Sequence, residues 1–141
     1  MKASLTIAAD VKQLTTVRDF VFKFAKRFCQ EEDWLYELTL AVDEAVTNII
    51  QHGYEEMEGI ILIQLETVPN GLQINIQDTA PSFDPTKFPE PDLPSELDQR
   101  KPGGIGIYMM RKLTDKVEYC CLPEGLNELQ LVKYYPDSIH K

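Results

Sequence analysis

The sequence has 141 residues and a formal net charge of −9, and this composition excludes several classes of function. Nucleic-acid binders need concentrated Lys and Arg side chains to replace counterions, so we expect no direct nucleic-acid binding. We find no apolar run near the ~20 residues of a membrane span and no signal-peptide pattern, which predicts a cytoplasmic protein without a membrane partner. The length suits a single domain spanning 1–141.

The first predicted elements are a strand and a helix. Residues 3–9 alternate between apolar and polar side chains, which is typical of a strand. Asp10 then caps a helix whose apolar residues recur every three or four positions. These residues are Leu14, Val17, Val21, Phe24 and Phe28.

The edge of this first helix carries an aromatic residue flanked by cations. Arg18, Phe22 and Lys26 lie on one side of the apolar stripe. Such a pattern is often only a wide apolar arc covered by the stems of charged side chains. The alternative is a protein-binding surface, and Arg18 and Phe22 are our candidates for it.

The second predicted helix, 35–51, has a broad apolar side and one polar stripe. The apolar side consists of Leu38, Val42, Ala45, Val46 and Ile49, and the polar stripe of Glu37, Glu44, Asn48 and Gln51. Leu40 and Ala41 lie beside Glu44, so this carboxylate and Asn48 are expected to face a partly enclosed cleft. A half-buried carboxylate next to an amide needs a partner or a task. The alternative for such a pair alone is a solvated helix face.

The remaining elements complete an α+β pattern. Two strand-like runs, 60–68 and 72–78, are joined by Pro-Asn-Gly, and Asn-Gly is a strong hairpin signal. A helix at 105–113 and a final hairpin of 116–122 with 128–135 follow. The order β-α-α-β-β-α-β-β predicts a two-layer sandwich, in which helices cover one face of a mostly antiparallel sheet.

Two further segments carry candidate binding chemistry. Asp78 ends a strand, where an Asp is more often a turn cap than a ligand contact. The glycines Gly103, Gly104 and Gly106 open a helix, where free amides and the helix dipole favour phosphate, although Gly-Gly before a helix is often only a turn. Each segment alone is a weak signal.

Taken together, the segments resemble the N, G1 and G2 boxes of the GHKL ATPases in order and spacing. The resemblance rests on ELTLAVDEAVTNIIQHGY (37–54), SFDP (82–85) and GGIGIYMMRKLTD (103–115). It is strongest toward the bacterial anti-sigma factor serine/threonine kinases and covers essentially the whole chain. It implies the Bergerat ATP-binding fold.

The resemblance also implies a role for individual residues toward ATP and Mg²⁺. Asn48 would ligate Mg²⁺ at the phosphates, Glu44 would orient or deprotonate the attacking hydroxyl, and Asp78 would accept from the adenine amino group. The segment 85–102 would form a lid. The cofactor-binding set implied in this way is Asn48, Asp78, Ala80, Phe83, Gly103, Gly104, Ile105 and Gly106.

The chain departs from the family pattern at two positions. Ala80 stands where glycine is usual, and alanine is strained there if that position needs a positive φ. The threonine that often touches adenine from the last strand is not recognisable in NELQ (127–130).

The function implied is phosphorylation of Ser or Thr on a small antagonist protein of the STAS type, with sequestration of a sigma factor and homodimerisation as further expectations. One alternative is a non-catalytic module in which ATP only shapes a partner-binding surface. That module would need Asn48 and the glycines but no base at Glu44. The other alternative is a structural α+β domain without nucleotide.

Overall fold

The computed structural model describes residues 1–54, 58–80, 104–122 and 125–136. The elements are β1 (Lys2–Ala8), a 3₁₀ turn (Val11–Gln13), α1 (Leu14–Lys26), α2 (Glu32–Asn48), a π-helical segment (Ile49–Tyr54), β2 (Ile60–Val68), β3 (Gly71–Asp78), α3 (Gly104–Leu113), β4 (Lys116–Leu122) and β5 (Leu126–Tyr134). This is the predicted order of strands and helices. Across these described ranges, no helix is both long and apolar enough to cross a membrane.

The five strands form one sheet in the order β1-β2-β3-β5-β4, and every neighbouring pair is antiparallel. The turn between β2 and β3 uses Asn70 with φ of 66°, a conformation that Asn tolerates better than most residues. Because successive side chains of a strand point to opposite faces, alternate residues of each strand face the helices. The buried ones include Ile63, Ile74 and Leu131. The predicted two-layer α+β architecture is confirmed.

The first two helices begin at different residues from those predicted. Asp10 caps the 3₁₀ turn by accepting from the N–H of Lys12, so α1 begins only at Leu14. The second helix begins at Glu32 rather than residue 35, because Glu31 accepts from the N–H of Asp33 and acts as its N-cap.

The second helix also ends earlier than predicted. Its α-helical part stops at Asn48, and 49–54 continue as a π-helical segment. Short π-helical segments are often found at functional sites.

The π-helical segment is fixed to the sheet through Tyr54. This buried residue donates its O–H to the carbonyl of Ile60 (2.8 Å) and accepts the N–H of Thr79 (3.1 Å). Its ring lies over Gly59, where an added Cβ would come within 2.1 Å of the ring. The start of β2 and the end of β3 are therefore held together directly beside Asp78.

Candidate nucleotide site

A pocket lies where α2 and α3 meet the central strands. Its lining consists of Ala45, Asn48, Ile49, Asp78, Met110, Tyr119, Asn127 and Leu129. Asn48 and Asp78 lie 30 positions apart in the sequence, and the fold brings both to this one pocket. The two polar residues singled out from separate motifs therefore share a site.

The pairing of β3 with β5 explains the surroundings of Asp78. The register places Asn127 directly opposite Asp78, and both face the helices. The amide of Asn127 donates to Asp78 Oδ1 (3.0 Å) and to the carbonyl of Ala80 (2.9 Å), while the N–H of Ala80 also donates to Asp78 Oδ1 (2.9 Å). Burial raises the pKa of Asp78, and the hydrogen bonds from Asn127 and Ala80 oppose this increase. These donors favour the ionised carboxylate, which is an acceptor.

Alanine at position 80 is compatible with this turn. Among the non-glycine residues that the structure describes, only Asn70 has a positive φ, so Ala80 adopts an ordinary backbone conformation. Its side chain is buried. The strain considered for Ala80 is therefore absent.

Asn48 occupies the last α-helical position before the π-helical segment. Its side chain is buried, with 5% of its surface exposed, and its Nδ2 has no hydrogen-bond partner within the described chain. A buried donor without a partner costs about 1–3 kcal/mol. A ligand that enters the pocket and accepts from this amide would remove that cost.

The side chains around Asn48 determine whether a metal ion fits the pocket. In the described ranges, no group of three or more His, Cys, Asp or Glu side chains could hold a metal ion by itself. Mg²⁺ commonly takes only one or two protein ligands and completes its shell with phosphate and water oxygens. The Oδ1 of Asn48 therefore fits a magnesium ion that arrives with phosphates, rather than one held by protein alone.

Glu44 lies one turn before Asn48 on α2 and is half-buried. Burial raises the pKa of its carboxyl, and the neighbouring charge of Asp43 adds to this effect. A raised pKa makes a carboxylate a better proton acceptor near neutral pH. The direction of this pKa change is the one expected of a carboxylate that serves as a base.

The glycine motif lies partly within the described residues. Gly104, Ile105 and Gly106 form the first turn of α3, and α3 packs against α2. Gly103, Phe83 and the predicted lid at 85–102 lie outside the described residues.

The two candidate partner-binding residues differ in their surroundings. Phe22 is exposed (42%), and the ammonium of Lys26 lies 5.6 Å from its ring centroid. Arg18 instead donates its Nε–H to Oδ1 of Asp43 at 2.8 Å and so links α1 to α2. The cation of Arg18 is half-exposed but already paired, so this surface is less cationic than the helix pattern indicated.

Two polar pocket residues, Asn127 and Tyr119, are not indicated by the sequence motifs. Asn127 lies in NELQ (127–130), where the threonine of the family is not recognisable, and Tyr119 donates its O–H to Asn127 Oδ1 (3.0 Å). The signal that points to Asn127 is a polar residue on the last strand, paired with Asp78 across the sheet.

Comparison with known proteins identifies the family of this chain. The family model for the histidine kinase-like ATPase domain matches residues 7–133. A serine-protein kinase RsbW from Bacillus velezensis is 31% identical over 119 residues, which are 81% of this chain and 74% of the relative. An RsbW from Bacillus cereus is 28% identical over 121 residues, 83% of this chain and 76% of the relative.

A solved structure shows the same fold. A crystal structure of RsbU and RsbW domains from Mycobacterium tuberculosis superimposes with a TM-score of 0.68 at 15% identity, covering 96% of this chain. Our chain spans only 33% of that longer chain. The family resemblance predicted from the sequence is confirmed.

Proposed function

The chain belongs to the family of histidine kinase-like ATPase domains, and on that premise we propose that it is an ATP- and Mg²⁺-dependent serine/threonine kinase of the anti-sigma-factor type. The observation that carries the proposal is the shared pocket of Asn48 and Asp78, in which the buried amide donor of Asn48 has no partner among the described residues. A nucleotide would supply that partner.

Asp78 would select the base. Its ionised carboxylate accepts a hydrogen bond from the adenine amino group, whereas guanine presents a carbonyl oxygen at the same position, and two acceptors cannot pair. The binding site is therefore expected to prefer ATP over GTP.

Asn48 would hold the phosphate end together with the first turn of α3. Its amide oxygen would ligate Mg²⁺, and its Nδ2–H, which has no partner among the described residues, would donate to a phosphate oxygen. Bound Mg²⁺ neutralises charge on the phosphates. Gly103, Gly104, Ile105 and Gly106 would surround the phosphates, with Ala80 and Phe83 near the base.

Glu44 would act on the attacking hydroxyl. In the transfer, the Ser or Thr oxygen bonds to the γ-phosphorus, the bond from phosphorus to the β–γ bridging oxygen breaks, and ADP leaves. Glu44 orients the hydroxyl and takes its proton. The raised pKa of Glu44 supports this role.

The substrate and partner classes are part of the proposal. The matched relatives bear the name serine-protein kinase RsbW, which supports a protein hydroxyl as acceptor. We propose a small STAS-type antagonist as the phosphorylated protein and a sigma factor as a second partner, with exposed Phe22 and half-exposed Arg18 on the surface that meets them.

Incubating the purified protein with labelled Mg-ATP and candidate antagonist proteins from neighbouring genes tests this proposal. We expect phosphate transfer by the wild type and none by Glu44→Gln, which should still bind Mg-ATP in calorimetry. Asn48→Ala should lose Mg-ATP binding itself. Glu37→Gln is a matched control, because Glu37 lies on the same stripe but pairs with Lys133 (3.6 Å).

The result also separates the kinase from the binding-module alternative. If Glu44→Gln transferred phosphate at the wild-type rate, the proposed role of Glu44 would be excluded. ATP binding without transfer to any antagonist would favour the non-catalytic module. Equal affinity for ATP and GTP would contradict the role of Asp78.

A further inference from the structure

Three polar side chains from three strands line the pocket and form a hydrogen-bonded chain. Tyr119 on β4 donates to Oδ1 of Asn127 on β5 (3.0 Å), and Asn127 donates to Oδ1 of Asp78 on β3 (3.0 Å). Asn127 and Asp78 are almost completely buried, with 5% and 7% of their surfaces exposed. Buried networks of this kind restrict side-chain orientation more strongly than isolated surface contacts.

The contacts of Asn127 with Asp78, Ala80 and Tyr119 favour one orientation of its amide. In the observed orientation, Nδ2 faces two acceptors, Asp78 Oδ1 and the carbonyl of Ala80, while Oδ1 faces the hydroxyl of Tyr119. Turning the amide over would place its oxygen against a carboxylate oxygen and a carbonyl oxygen. Tyr119 therefore favours the orientation in which Asn127 is a donor toward β3.

The fixed amide in turn orients the carboxylate. Asp78 Oδ1 accepts from both Asn127 and the backbone N–H of Ala80. With Oδ1 held by two donors, rotation of the carboxylate would break both hydrogen bonds. Both of these hydrogen bonds within the described residues go to Oδ1, which leaves Oδ2 to accept from a ligand in the pocket.

We propose that Asn127, oriented by Tyr119, is a positioning residue that aims Asp78 Oδ2 at the nucleobase and thereby sets the preference for adenine. This inference rests on the proposed nucleotide function and extends it to residues on β4 and β5. Neither residue needs to touch the nucleotide for the effect. A carboxylate free to rotate discriminates less between an amino group and a carbonyl at the same position of the base.

The test is the ratio of ATP to GTP affinity in a small variant series, measured by calorimetry with Mg²⁺. Tyr119→Phe removes one hydroxyl, and Asn127→Leu removes the amide at similar side-chain size. ITP is included because it carries the same carbonyl as GTP without the 2-amino group. Thermal melts show that each variant is folded.

Tyr54→Phe is the matched control. It removes a buried hydroxyl that is bonded to the same end of β3, at Thr79, but Tyr54 does not line the pocket. This variant is expected to melt at a lower temperature and to keep the wild-type affinity ratio.

We expect Asn127→Leu to reduce the ATP:GTP and ATP:ITP ratios about tenfold or more, and Tyr119→Phe about threefold, mainly through weaker ATP binding. Unchanged ratios in folded variants would overturn the inference while leaving the proposed function intact. An equal change in Tyr54→Phe would also overturn it, because general loosening of the strand end would then suffice. Wild-type protein that binds neither ATP nor GTP would refute the proposed function and this inference together.

Discussion

Replacing Asn48 by leucine should stabilise the nucleotide-free protein and abolish its response to Mg-ATP. Asn48 is buried, and its Nδ2 has no hydrogen-bond partner in the described part of the chain. Leucine is similar in size, has no polar atom to leave unpaired and favours helix more than asparagine does. When the pocket is empty, the substitution therefore removes the cost of an unpaired buried donor. When Mg-ATP is present, it removes the group that would bind it.

The expected magnitude follows from the cost of an unpaired buried donor. This cost is about 1–3 kcal/mol, and altered packing around the leucine side chain offsets part of the gain from removing it. We expect the free energy of unfolding to increase by about 1–2 kcal/mol, or roughly 3–7 °C in melting temperature for a chain of this length. Wild-type protein at an ATP concentration of 100 Kd gains about 2.7 kcal/mol, so the order of the two proteins reverses when Mg-ATP is added.

Urea unfolding and thermal melts with and without Mg-ATP measure both halves of this prediction. Asn127→Leu is the matched control, since its amide makes hydrogen bonds to Asp78 and Ala80 and its loss should destabilise the protein. If Asn48→Leu lowers stability as Asn127→Leu does, the Asn48 amide is satisfied without a ligand, and the argument that its burial indicates a nucleotide site is refuted.

Three further predictions concern other parts of the molecule. Burial and Asp43 raise the pKa of Glu44 above its ordinary 4.5, so ionisation of Glu44 destabilises the fold at higher pH. In urea unfolding, Glu44→Gln should therefore be at least as stable as wild type at pH 7. Below pH 4.5 the variant should have no advantage in stability. Wild-type transfer should decline as pH falls toward this raised pKa, and a pH-independent rate would exclude Glu44 as base. Arg18→Gln should weaken binding of a partner protein by at least ~2 kcal/mol, the hot-spot threshold. Asp43→Asn breaks the same ion pair but keeps the cation of Arg18, so it should not weaken this binding. Equal losses of binding in pull-downs would mean that the ion pair has only a structural role. Gly59→Ala should cost about 1–3 kcal/mol in thermal melts because its Cβ would overlap the Tyr54 ring, and an unchanged melting temperature would mean that the ring moves freely.

The local signals of the sequence were sufficient to predict the element order. Apolar residues spaced three or four positions apart indicated the helices, and Asn70-Gly71 indicated the hairpin of β2 and β3. The change from α- to π-helix at Ile49 was not predictable in this way, because the apolar pattern of the second helix continues past it. That segment is instead fixed by distant contacts of Tyr54 with the strands.

The contacts between elements required the structure. The helical pattern placed Arg18 beside Phe22, but the rotation of α1 against α2 determines that Arg18 reaches Asp43. Similarly, β3 and β5 are separated by α3 and β4, so their register is set by nonlocal pairing. The position of Asn127 opposite Asp78 follows from that register alone.

The two buried asparagines of the pocket show why a sequence motif cannot by itself identify a ligand site. Both are buried, with 5% of their surfaces exposed. Strand pairing supplies acceptors to Asn127, so its burial is explained by the protein itself. Asn48 faces the same pocket from a helix whose backbone groups are already engaged, and its amide donor receives no acceptor from the described residues. An unpaired buried donor persists only where something outweighs its cost. The position of Asn48 therefore points to a ligand more specifically than the glycine motif at 103–106, which a simple turn would also explain.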